Sequence, residues 1–286
     1  MEMYSTELPD SVLRDAVEFT GHYLIGFVKP GTDGGGADAK LAGSGTLVRT
    51  GKVCGILTAQ HVAKNLPTKG EIGIILPRGI DTPAYPGNPT ILGERLRIVA
   101  FPRGKRDSSG PDLALIILSP LDAARIGAIK SFYNLDYWRS SVLSDQRDPN
   151  HHAFGLSGFP YVLVSDASPQ RGFRRVKVFK GLLFLTFIDR IKVGKGFDYA
   201  DVNVSYGGRA DDPPRNFGGF SGGGLWLIEL KGTTKEAVKM SRCTLYGVAF
   251  YQTKIVRSRR RIRCHWRRSI YDRLLRKIGK TVRARK

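Results

Sequence analysis

The sequence predicts an all-β protein built from two β units in tandem and closed by an amphipathic C-terminal helix. Three observations carry that expectation. Short apolar or alternating segments rich in β-formers recur along the chain, Gly, Pro, Asn and Asp clusters separate them, and strands do not alternate with helices as a parallel sheet would require. With 286 residues, 41% of them hydrophobic, the chain can bury a sizeable core in one large domain or two small ones.

Taken in order, a short helix is expected over residues 12–19, followed by a first strand, HYLIGFV, from His22 to Val28. The glycine-rich stretch GTDGGGAD, Gly31 to Asp38, lacks the Gly-Lys-Ser/Thr ending of a phosphate loop and is read as a connection. Strands follow in SGTLVRT, VCGILTA, EIGIILP, ERLRIVAF and DLALIIL, a pattern that fits a barrel or a sandwich. SPLDAARIGAIK, Ser119 to Lys130, has helical periodicity and starts a linker. Strands resume in HAFGLSGFP, RRVKVFKGLLFLTFIDRIKV, YADVNVSY, GLWLIEL and TLYGVAFYQ. The expected boundaries are 1–119 for the first unit, 120–150 for the linker, 151–252 for the second unit and 253–286 for a basic C-terminal segment. There, Ser269 with Asp272 resembles a capping box, Ile270, Tyr271, Leu274 and Ile278 share one helical face that should pack on the body, and Gly279 is the expected stop.

The charge is unevenly distributed. Residues 254–286 hold fifteen Lys and Arg against Asp272 alone, so +14 of the net +21 lies in this segment. Such density suits a polyanion such as nucleic acid, with Arg259, Arg260 and Arg261 as candidate contacts, and equally suits a solvated basic face. No apolar run fits a signal peptide or a membrane-spanning helix, so no membrane insertion is expected. The three cysteines, Cys54, Cys243 and Cys264, have neither metal-type spacing nor an even count, which points to a reducing, cytoplasmic setting. His151 and His152 are adjacent in sequence and would face opposite sides of a strand, while His22 and His265 lack ligand companions. All four are read as structural or surface residues; no metal or cofactor is expected.

The candidate chemistry starts from NFGGFSGGGL, Asn216 to Leu225, where glycines crowd one serine. Alone, this reads as a surface loop. ILTAQHV places His61 after an apolar strand, and GPDLALIIL places Asp112 at the start of another. With GSGTLV before TAQH, and GFSGGGLW after DLALI, the order His, Asp, Ser on a β background resembles the trypsin-like (chymotrypsin-fold) serine proteases, in particular their plainer bacterial members. The resemblance spans His22 to Gln252. It implies two tandem six-stranded antiparallel β-barrels and a serine endopeptidase acting on a protein or peptide substrate without a cofactor. Ser221 would be the nucleophile, His61 its general base and acid, and Asp112 the carboxylate that orients the imidazole. The amides of Gly219 and Ser221 would form the oxyanion hole.

The same resemblance puts Arg215 on the floor of the substrate pocket and Phe250, Tyr251 and Gln252 along its wall; a cationic floor would favour an acidic side chain before the cut. Phe220 stands where many members carry an aspartate used in zymogen activation, which leaves open how the oxyanion loop is held and whether a protein partner gates it. No cysteine answers Cys54 across His61, consistent with a disulfide-free version. A second reading is a catalytically idle trypsin-like fold that serves as a binding module, with its basic tail on nucleic acid.

Overall fold

The helix α1 (Asp10–Gly21) turns its Val12 and Ala16 inward and delivers the chain to the first of two β units. The computed structural model describes residues 8–29, 39–77, 89–102, 110–144, 151–167, 176–194, 196–206, 213–232, 234 and 237–284. The Gly31 to Asp38 connection lies outside them.

The first unit comprises β1 (Leu24–Lys29), β2 (Lys40–Thr50), β3 (Val53–Thr58), β4 (Glu71–Ile75), β5 (Thr90–Leu92), β6 (Arg97–Phe101) and β7 (Leu113–Ile117), with the short helix α2 (Gln60–Lys64) after β3. These strands join in the order β5-β4-β1-β2-β3-β7-β6. A full barrel is expected here from the sequence, yet among the described residues the sheet stays open between β5 and β6. Its apolar side chains form a continuous core from Ile25, Phe27, Leu47, Ile56 and Ile116. That burial supplies the driving force for the curved sheet.

The linker holds more structure than its sequence suggests. Ser119 caps α3 (Pro120–Gly127) by accepting from the amide of Asp122, the third residue of the helix, as an N-cap serine can. Then come β8 (Tyr133–Asn134), which pairs in parallel with β2, and α4 (Leu135–Ser144). Tyr133 joins Tyr23 and Trp226 in an aromatic cluster, with ring centroids 5.5 to 5.7 Å apart, and its hydroxyl accepts from the Leu245 amide. The linker is thereby a packed bridge between the units.

In the second unit β9 (His152–Gly158), β12 (Leu182–Gly194), β13 (Phe197–Ser205), β14 (Gly224–Lys231), β15 (Lys239–Gln252) and β16 (Arg259–His265) close a six-stranded barrel, and β10 (Val164–Ala167) pairs with β11 (Val176–Phe179) as a separate ribbon. The second unit therefore does not end at residue 252. β16 closes the barrel between β13 and β15, so Arg259, Arg260 and Arg261 belong to a strand rather than to a tail. Charge density hides the strand in the sequence, although Ile262 and Cys264 alternate inward and are buried. Arg263 is held by buried Asp201, whose carboxylate takes two of its guanidinium nitrogens at 2.6 and 2.8 Å and one from Arg190 at 3.2 Å. Burial pushes the Asp201 carboxyl up, but Arg263 and Arg190 outweigh that and hold it below the usual range.

The chain closes with a π-helical segment, Ser269–Leu274, that runs into α5 (Leu275–Arg283). Ile270, Tyr271, Leu274 and Ile278 are buried against the body, as their shared face predicts. Two details differ from expectation. Ser269 bonds to the carboxylate of Asp198, not to Asp272, and the helix passes through Gly279 to end at Arg283. The body fixes the helix start more strongly than a local box would, because Asp198 also accepts from the amides of Arg268 and Ser269. Among the described residues no helix is long and apolar enough to cross a membrane.

Candidate active site

β3 and β7 are antiparallel neighbours with Thr58 opposite Ala114, so the chain leaving β3 and the chain entering β7 meet at one end of the sheet. His61 lies just past that end on α2 and Asp112 just before β7. Their contact is doubled: the Asp112 carboxylate accepts from the His61 amide at 2.8 Å and lies 2.7 Å from His61 Nδ1. Asp112 is fully buried, while the His61 side chain is 24% exposed. With Nδ1–H donating to the carboxylate, Nε2 carries the lone pair and can act as a base.

Behind Asp112 stands His265, which the sequence reading treats as a structural or surface residue and does not connect to this site. The Asp112 amide donates to His265 Nε2 at 3.1 Å, and His265 is completely buried among the rings of Phe250, Tyr199 and Phe197. Burial pushes its pKa down to about 3 against the attraction of Asp112, so the ring is neutral. Nε2 is the acceptor and Nδ1 holds the proton, with no acceptor for it among the described residues. A histidine in a basic segment gives no sequence signal for this place; only the pairing of β13, β16 and β15 brings it here.

The Ser221 loop is tied to the first unit. Ser44 on β2 donates from Oγ to the Gly219 carbonyl at 2.7 Å and from its amide to the Ser221 carbonyl at 2.9 Å, while its Oγ accepts from the Phe159 amide at 2.8 Å. Gly219 has φ +94° and a side chain on it would lie 2.3 Å from the Phe159 carbonyl oxygen. Gly222, at φ +93°, presses against the Ser44 carbonyl and the Thr58 hydroxyl, each about 2 Å from where a Cβ would be. Both positions exclude a side chain on two grounds. Phe220 is buried, with its ring edge-on to Phe217 at 5.1 Å and over Gly158, so a core side chain anchors the loop where an aspartate is otherwise expected.

The amides of this loop follow a pattern. Phe217 donates to Gln252, Gly218 to Asn216, Phe220 to the Phe217 carbonyl, Gly222 to Ala249 and Gly223 to Phe220. Between Phe217 and Gly223, the amides of Gly219 and Ser221 alone donate to no described residue. Buried or half-buried amides are rarely left so, and two close together can receive an oxyanion.

His61 and Ser221 line one cavity of about 190 Å³ together with Phe217, Phe220, Phe250, Tyr251 and Gln252. Among the described residues no hydrogen bond joins Ser221 to His61. Gln252 is fixed on the wall: its Oε1 accepts from the Phe217 amide and from Arg260, and its Nε2 donates to Asn216. Arg215 is exposed and is not among the residues that line this cavity. The next residue, Asn216, is held to the wall by its bond from Gln252.

The three arginines proposed for polyanion binding are split by strand alternation. Arg260 points inward to Gln252, Arg261 pairs with Asp189 at 3.2 Å, and Arg259 is exposed. No group of three or more His, Cys, Asp or Glu among the described residues could hold a metal ion.

No family model and no curated protein matches the chain. A solved structure, from work on how aromatic interactions drive the coupled folding and binding of the intrinsically disordered VPg protein of Sesbania mosaic virus, is similar at 12% identity and a TM-score of 0.43, over 88% of this chain and 90% of that one. A likeness at that level carries nothing about the site.

Proposed function

We propose that the chain is a serine endopeptidase of the trypsin-like kind. The observation that carries this reading is a doubly bonded Asp112–His61 unit, with Asp112 buried, beside a loop that leaves the amides of Gly219 and Ser221 unused, with His61 and Ser221 on the same cavity. His61 Nε2 takes the Ser221 proton as Oγ attacks a substrate carbonyl; Asp112 holds the imidazole and stabilises the imidazolium. The oxyanion then falls to the Gly219 and Ser221 amides, where the loss of one donor typically costs about 3 to 4 kcal/mol of barrier. His61 returns the proton to the leaving amine, and water repeats the sequence on the acyl-enzyme.

Packing of Phe220 and the Ser44 bonds support an oxyanion loop formed within this chain, without an activating partner. An apo enzyme in which the nucleophile and base are not yet hydrogen-bonded is compatible with the mechanism, since such contacts tighten in the substrate complex. The test is labelling with a fluorophosphonate probe. Covalent attachment at Ser221 that disappears in both Ser221→Ala and His61→Ala is expected; folded protein that resists the probe would leave the binding-module reading in its place.

A further inference from the structure

Two adjoining hollows run along the C-terminal helix, of about 520 and 340 Å³, and share Phe197, Arg273 and Arg276 as walls. They have no lining residue in common with the cavity of His61 and Ser221. We propose that this groove binds the phosphate backbone of a nucleic acid, without reading its sequence.

The helix itself aligns the charges. Its apolar face is buried in the body, which leaves Arg268, Arg273, Arg276, Lys280 and Arg283 exposed on the other side. Their spacing is five, three, four and three residues. Five residues would place Arg273 well round an α-helix from Arg268, but the π segment Ser269–Leu274 between them hydrogen-bonds one residue further on, so a side chain five along comes back beneath its predecessor. From there the α-helical spacings three and four keep the row on one face. The row extends over roughly 22 Å at about 1.5 Å per residue, the axial length of about six phosphates of one strand.

The opposite wall comes from both units: Phe101 of β6 and Gly196 and Phe197 at the turn into β13. Two cations are built into that wall. Arg273 donates to the Gly196 carbonyl at 2.6 Å, and the Lys277 ammonium sits 4.3 Å above the Phe101 ring and donates to the Ala100 carbonyl. Among the described residues neither meets a carboxylate, so their charges are positioned by backbone carbonyls and a ring. Asp272, paired with Arg276, is the one acid lining the groove among the described residues. Among the described residues the side chains of Arg268, Lys280 and Arg283 form no ion pair. This arrangement separates the groove from the Arg259 to Arg261 strand, where one arginine faces the barrel and another is matched by Asp189.

A nucleic acid fits this surface better than a lipid bilayer does. The helix's apolar residues are held by the core, with Tyr271 donating to the Leu245 carbonyl at 2.7 Å, so they are not free to enter a membrane, and the groove is concave. Phosphates reached by a concave row of cations release counterions, which makes the affinity steeply dependent on salt.

The test uses the full chain carrying Ser221→Ala, so that the result is independent of proteolysis. Fluorescence anisotropy would follow a labelled 20-nucleotide single-stranded RNA and a 20-base-pair DNA duplex across a salt series. Binding of either probe is expected, with log affinity falling against log salt at a slope near −3 for the single strand if four cations engage. R268Q/R276Q/K280Q should weaken binding at least tenfold and flatten that slope by about 2. Its melting temperature and near-ultraviolet circular dichroism check that the fold is kept. R259Q/R261Q should change affinity less than twofold. The proposal is overturned if neither probe binds, if R259Q/R261Q removes binding while the helix variant keeps it, or if the protein sediments with phosphatidylserine vesicles while ignoring both probes.

Discussion

At the scale of single residues, Ser221 and His61 share one cavity, and hydrogen bonds run inward from His61 to Asp112 and then to His265. Each link has a separate consequence. Asp112→Asn replaces an oxygen that receives the His61 Nδ1 proton with a group that favours the other tautomer, so kcat on a peptide substrate should fall by about 10³- to 10⁴-fold while KM changes little. An unchanged kcat would show that His61 is not oriented by this contact. His265 connects the site to pH. In the unfolded chain it takes a proton near 6.5, whereas burial holds it at about 3 in the fold. Between those values the unfolded state binds more protons, so stability falls as pH drops from about 6.5 toward 3, by up to about 1.4 kcal/mol per unit, and levels off below. His265→Gln retains an acceptor for the Asp112 amide without titrating. Urea denaturation across that range should therefore show a shallower decline in the variant than in the parent, and parallel curves would remove His265 from the account.

At the scale of elements, the Ser221 loop is held by both β units, because Ser44 of β2 bonds to it from the other side of the junction. Ser44 satisfies a carbonyl of the loop and the amide that follows β9 with the same hydroxyl. Ser44→Ala leaves both without their partner in a buried place, which should cost about 2 to 3 kcal/mol of stability. It should also lower fluorophosphonate labelling, since the backbone of Gly219 loses its restraint. A matched measurement of unfolding free energy and labelling rate separates the two effects; loss of stability with an unaltered labelling rate would make Ser44 a packing residue only.

At the scale of the whole molecule, the C-terminal helix is a structural part of the double β assembly. Trp266, Ile270, Tyr271, Leu274 and Ile278 are each no more than 3% exposed. At about 2 kcal/mol for each such side chain, their burial amounts to about 10 kcal/mol, comparable to the whole stability of a typical domain. A chain truncated after His265 should fail to fold, seen as loss of near-ultraviolet circular dichroism and of a cooperative melt. A truncation with an unaltered melting temperature would contradict the packing described. The charge of this segment and its core role occupy opposite faces, which is how one helix can be both basic and buried.

Much of this architecture is legible in the sequence, because a strand or a helix with one buried face must repeat its apolar residues at a fixed period. The strands from β1 to β4, β6, β7, β9 and β12 to β15 were readable in that way, as were the buried stripe Ile270, Tyr271, Leu274 and Ile278 and the stretches that bear His61, Asp112 and Ser221. What charge, length or distance masks was not. β16 hides in an arginine run, β5 and β8 are too short to show a period, and the opening of the first sheet depends on which edges pair. Arg215 could not be placed because a loop's direction is set by what it returns to, here Gln252. In the sequence, the order of His61, Asp112 and Ser221 on β segments, and the resemblance it carries, nominated the candidate base, carboxylate and nucleophile. Tertiary structure decided that Asp112 reaches His61, that Ser44 and His265 brace the two ends of the site, and that the cations of the last helix face a groove, because each of these joins residues tens to hundreds of positions apart in the chain.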